Sequence, residues 1–204
     1  MNRKVFFLAF LLIGAVSMTI MSIHYFTEPA SGILGRKVFK DALWYQAAFY
    51  AHIGFGLIAI LTGPIQFIKA FIEKRERMHR VLGYIYSGSV ACSSLSGLII
   101  AQFAMGGLPT QIGFSVLAVL WFTSLMMALK HIFAGHIQAH QSWMMINYAL
   151  TFAAITQRTM LLFAFIPGLD FMPIYQWSAW LPWMINLVLV SLFINKRRSM
   201  QVAI

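Results

Sequence analysis

Six long apolar segments, separated by short charged or turn-forming connections, limit what this chain can fold into. They run at about 4–25, 44–72, 81–104, 112–133, 142–166 and 177–195. A helix needs roughly 20 apolar residues to cross the hydrocarbon core of a bilayer, and each segment reaches that length. None alternates apolar and polar residues as a barrel strand would. The pattern predicts an all-α, polytopic transmembrane bundle of six helices, a single integral membrane domain over residues 1–204. Composition agrees: 10% of residues are charged, against about 25% in soluble domains. Six spans take up about 120 residues, which leaves no room for a separate soluble domain. The 60% hydrophobic content also excludes a solvated, disordered chain. The lone Cys92 excludes an internal disulfide and any multi-cysteine metal site.

The formal net charge of +10 does not point to nucleic acid. The cations form no basic domain and sit at the ends of apolar runs, where they report topology. With the N-terminus inside, the inner side carries Arg3, Lys4, Lys69, Lys74, Arg75, Arg77, Arg80, Lys130, Lys196, Arg197 and Arg198, while the outer side carries Arg36, Lys37 and Lys40. Both termini are therefore expected to be cytoplasmic. Trp44, Tyr45, Trp177 and Trp180 fall at the outer boundary, and Tyr84, Tyr86 and Trp143 near the inner one, as aromatic belts do. Arg3 and Lys4 before Val5–Ile23 resemble a signal peptide. The apolar run is longer than a signal peptide's, and no A-x-A site follows, so a retained helix is expected. In the outer connection, Val38, Phe39, Ala42 and Leu43 share one helical face, and Arg36, Lys37, Lys40 and Asp41 the other. That fits either a short interfacial helix or an irregular loop.

No Walker loop, nucleophile elbow, dinucleotide fingerprint or H-E-x-x-H motif is present. The chemistry must come from polar residues inside the apolar segments. Arg158 is the most costly of these, at about 2.5–3.5 kcal/mol or more at mid-membrane. All five acids (Glu28, Asp41, Glu73, Glu76 and Asp170) lie outside or at the ends of the segments. Its partner is a helix carbonyl, a folded-back acid, a lipid phosphate or a ligand, unless it snorkels to the interface. His52, in the second segment, lies at about the same depth, about 12 Å from the outer boundary. It is either part of an outer polar site with Arg158, Gln46, Gln102 and Gln157 or a core histidine bonded to a neighbouring carbonyl.

At the inner side, His79 opens the third segment, His131 ends the fourth, and His136 and His140 lie in the link to the fifth. Neutral imidazole ligates haem iron, copper and zinc, so these four are candidate metal ligands. The alternative is a loop cluster near lipid headgroups. On the fifth segment, His140, Asn147, Thr151, Ala154 and Arg158 share one helical face. On the second, His52, Gly56, Ala59, Gly63 and Gln66 do the same. Gly83, Ser87, Ala91, Ser94, Gly97 and Ala101 form a small-residue stripe on the third. Small residues let helices approach closely in lipid. The second, third and fifth helices are therefore expected to share a polar seam, with a kink at Gly63-Pro64.

Several strings here resemble a known family. They are Gly63-Pro-Ile-Gln66-Phe, Met78-His79-Arg80-Val-Leu-Gly83-Tyr-Ile-Tyr, His140-Gln-Ser-Trp143-Met144, and Tyr148-Ala-Leu-Thr-Phe-Ala-Ala-Ile-Thr-Gln-Arg158. Together they resemble, over roughly residues 45–165, a bacterial membrane protein family catalogued as domain of unknown function 2306. The resemblance implies a multi-pass protein of a bacterial cytoplasmic (inner) membrane. It marks His52, Gln66, His79, Arg80, His140, Trp143 and Arg158 as characteristic positions and candidate cofactor-binding residues. The family often has basic residues where this chain has Gln141 and Ser142, and an arginine near Asn147. The resemblance brings no established activity.

Two functional readings follow. One is a redox protein in the lipid bilayer holding haem b or handling quinone. Its inner haem would use His79 and His140, its outer site His52 with Met160, and Arg158 would bind a propionate. A quinone would need only His52 and Arg158. The other reading is a small transporter, a metal-handling protein or an assembly factor, with Gly63-Pro64 marking a broken helix on a ligand path. The lack of an intramembrane acid argues against ion coupling. A purely structural role for the polar residues is the remaining alternative.

Overall fold

The computed structural model describes residues 3–27, 42–68 and 74–202. These residues are helical almost throughout. In chain order they form α1 (Arg3–Thr27), α2 (Leu43–Thr62), a 3₁₀ turn (Pro64–Phe67), α3 (Glu76–Ala101), α4 (Leu108–Phe133), α5 (Ile137–Leu161), a second 3₁₀ turn (Leu162–Phe165), α6 (Phe171–Ser178) and α7 (Leu181–Val202). Six stretches are long and apolar enough to cross a membrane: Leu8–Thr27, Leu43–Phe67, Glu76–Ala101, Leu108–Phe133, Ile137–Phe165 and Phe171–Arg197. The six expected spans are all present. The amphipathic stretch anticipated in the outer connection, residues 36–43, lies outside the described residues except for Ala42 and Leu43.

Helix ends depart from the apolar boundaries for physical reasons. α3 starts at Glu76, ahead of its apolar run, and Glu76 and Arg80 form an exposed i, i+4 ion pair in its first turn. Polar residues end a span but do not end a helix. α5 likewise starts at Ile137, so His140 stands in its first turn and not in the link. At Gly63-Pro64, where a kink is expected, α2 passes directly into a 3₁₀ turn. Gly63 N–H still bonds the Ala59 carbonyl at 3.0 Å, but Pro64 has no N–H to continue the ladder and heads a 3₁₀ turn instead. The sixth segment divides at Ala179-Trp180, and Pro182 stands near the start of α7, where a missing N–H costs nothing.

The chain divides into two compact units, residues 1–103 and 104–204. In the first, α2 packs along α3. Tyr45, Phe49 and Ile53 form its buried core, covered by Tyr25, Tyr50, Leu57, Ile100 and Phe103. Aromatic edges hold this end together, with Tyr25 and Phe49 ring centres 5.6 Å apart and nearly perpendicular. In the second unit, α5 packs against both α4 and α7. α4 ends in a Schellman motif. His136 N–H bonds the His131 carbonyl at 2.9 Å and Gly135 N–H bonds Ile132 at 3.1 Å. Gly135 takes the left-handed φ of +76° that this motif requires. Nearer the start of α4, Gly113 fits beneath Trp180, whose indole nitrogen would lie 2.8 Å from any Cβ there.

Candidate functional site

In the first unit the polar residues make an interhelical clasp. His52 Nδ1 lies 2.9 Å from the Ser93 carbonyl, and Ser93 Oγ donates back to the His52 carbonyl at 2.7 Å. A carbonyl can only accept, so Nδ1 carries the ring proton and Nε2 the lone pair. The clasp needs close backbones. A Cβ on Gly97 would fall 2.8 Å from His52 Nδ1 and 3.1 Å from its Cε1, and one on Gly56 would fall 3.2 Å from Ser93 Oγ. The α2–α3 pairing matches the expected contact of the second and third helices. The seam, however, runs through Ser93, which the expected stripe passed over in favour of its neighbour Ser94. Ser93 falls four residues before Gly97 and continues the buried line of Tyr86 and Val90.

At the other end of α2, the 3₁₀ turn carries Gln66 into the interior, where the residue is 7% exposed. Its Nε2 has no hydrogen-bond partner among the described residues. Its Oε1 would sit 3.8 Å from a Cβ on Gly83. His79 stands one turn before Gly83 on the same face of α3, with its Nδ1 buried. Arg80 points outward and pairs with Glu76.

In the second unit the polar face of α5 turns onto α4. His140 Nδ1 donates to the Ala128 carbonyl at 2.9 Å. The fully buried Asn147 donates from Nδ2 to the Trp121 carbonyl and to Ser124 Oγ, each at 2.8 Å. Trp121 Nε1 donates to Thr151 Oγ1 at 2.9 Å, and that hydroxyl donates to the Asn147 carbonyl at 3.0 Å. The sequence points to this face as polar but assigns it to the second and third helices. Within this unit Trp121, Ser124 and Ala128 of α4 meet it. Opposite, Asn186 of α7 reaches α5, donating to the Ala149 carbonyl at 3.0 Å and accepting from Thr156 Oγ1 at 3.2 Å. An amide inside the last apolar run was the one signal for this contact.

Arg158 is half-buried, and its guanidinium donates to the Ala154 carbonyl at 3.2 Å, one of the partners expected for it. Trp143 is half-buried on α5, three residues after His140. The His131 and His136 ring centres are 5.8 Å apart, and His136 is the residue that precedes α5. Among the described residues no three His, Cys, Asp or Glu side chains gather as a metal site. Of the proposed site residues, the first unit holds His52, Gln66, His79 and Arg80. The second holds His131, His136, His140, Trp143 and Arg158.

A family model described as "Predicted membrane protein (DUF2306)" matches residues 49–194. That stretch includes the His52–Ser93 clasp and the whole α4–α5 network. No curated protein and no solved structure matches the chain.

Proposed function

Because this chain belongs to the DUF2306 family of predicted membrane proteins, we propose that it works within lipid as a single integral membrane domain of a bacterial inner membrane, with both termini cytoplasmic. The excess of Lys and Arg on one set of connections supports that orientation. Our reading of its activity is one-electron redox chemistry with haem b, ligated by neutral imidazole.

One observation carries this reading. His140 commits its Nδ1 proton to the Ala128 carbonyl, which leaves the lone pair on Nε2. Nε2 has no hydrogen-bond partner among the described residues. A backbone carbonyl on the far nitrogen is the support that metal-bound histidines use. His52 has the same tautomer and is a second candidate ligand in its own unit, with His79 a third. Trp143 shares the His140 face of α5. Bound haem would take up and release single electrons between partners in the membrane. A quinone is less well served, because neutral His52 in this tautomer accepts a hydrogen bond and cannot donate one to a quinone carbonyl.

The test is a reduced-minus-oxidised absorbance spectrum of detergent-purified protein, with haem quantified on the same sample. Stoichiometric haem with sharp reduced bands, lost in His140→Ala, is the expected result. Colourless protein from haem-replete cells would overturn the reading. The 3₁₀ turn that ends α2 and the buried Gln66 amide, without a partner among the described residues, favour a second reading, a small transporter, metal-handling protein or assembly factor. A haem-free protein stabilised by a metal or small solute, an effect lost in Gln66→Leu, would support it.

A further inference from the structure

The second unit has an open groove of about 850 Å³ where the start of α5 meets the end of α7. Ile137, Met145 and Ile194 give it apolar walls, and His136, Gln138, Gln141, Ser142 and Arg197 give it a polar rim. Among the described residues no acidic side chain lines it.

Positive charge at this end of the unit has no acidic counterpart nearby within residues 104–204. Residues 104–204 contain one acidic side chain, Asp170. It precedes α6, beyond the far end of the 25-residue α5, about 37 Å away along that helix. Lys130 lies in the last turn of α4, and Lys196 and Arg197 lie toward the end of α7, where that helix meets the groove. Among the described residues the partner of Arg197 is neutral, Gln141 Oε1 at 3.1 Å. The start of α5 adds to the imbalance: no acid lies in its first turn and no side chain caps it, so its positive dipole end faces the same groove.

We infer that this groove binds an anionic phospholipid, with the headgroup phosphate at Arg197 and the first turn of α5 and an acyl chain along Ile137, Met145 and Ile194. The occupant follows from shape and charge together. A free anion would satisfy Arg197 but leave the apolar walls in water, and an apolar molecule would leave the cations uncompensated. Basic pockets between membrane helices recognise headgroups in this way.

The test uses the full-length protein in neutral detergent, with thermal unfolding read as lipid is titrated. Phosphatidylglycerol is expected to raise Tm saturably, phosphatidylcholine with the same acyl chains to leave it near its starting value, and inorganic phosphate to have no saturable effect. Arg197→Gln should weaken phosphatidylglycerol half-saturation roughly tenfold, as expected for one lost charge-assisted contact. Gln138→Glu, which places a carboxylate where helix starts tolerate it, should weaken it too. Equal stabilisation by both lipids would overturn the inference. So would saturation by inorganic phosphate alone, or phosphatidylglycerol binding unchanged in both variants.

Discussion

The two units solve the same problem differently. Each must join long helices in a solvent where burying apolar surface gives little advantage. The first unit brings α2 and α3 together by backbone proximity, with Gly56, Ser93 and Gly97 leaving room for one imidazole. The second joins α4 and α5 by a side-chain network of Trp121, Ser124, Asn147 and Thr151. Each also ties a histidine to a facing backbone carbonyl through Nδ1, and there the likeness ends. Proximity leaves no space to absorb a larger residue, whereas a network loses one bond at a time.

The largest effect should come from filling the first unit's contact. Gly97→Leu is expected to cost about 3 kcal/mol, because the added carbons meet a ring held in place by the Ser93 carbonyl. Reversible unfolding in mixed micelles checks it. A cycle pairing Gly97→Ala with His52→Ala sharpens the point, since the glycine should become replaceable once the ring is gone. If Gly97→Leu is tolerated, proximity is not what holds this unit. In the second unit, Asn147→Leu should cost about 1–2 kcal/mol by the same measurement, losing two bonds while keeping volume. A cost equal to that of Gly97→Leu would erase the distinction between the units. A smaller change is Thr151→Val, at about 1 kcal/mol, for the acceptor it removes from the Trp121 indole and the donor it removes from the Asn147 carbonyl. That variant should also shift the tryptophan emission, because its ring loses a specific partner.

The spans were legible in the sequence because bilayer thickness imposes a length that apolar runs display directly. The partners of the polar faces were not. Asn147 and Thr151 announce a polar face by their spacing, but helical periodicity gives direction only relative to the helix's own axis. Nothing in it says that α4 lies opposite. Ser93 was missed for a related reason. Ser93 and Ser94 are equally small, and only the position of the His52 ring distinguishes them. The interruption of α2 at Pro64 was visible, yet its consequence, an interior Gln66, depends on the turn that follows. Among the candidate site residues, the tautomer of His140 was least legible, because it is a property of the neighbouring Ala128 carbonyl.

The link between α4 and α5 is only Ala134, Gly135 and His136, and this bears on how the protein is made. The bonds of the α4–α5 network span 23, 26 and 30 residues of chain. Asn147 thus enters the membrane just after Trp121 and Ser124, so its amide need not cross hydrocarbon unaccompanied. His52 is synthesised 41 residues ahead of Ser93 and must wait for its acceptor. The α4–α5 network can form as soon as α5 follows α4, while the His52–Ser93 clasp waits for a longer stretch of chain.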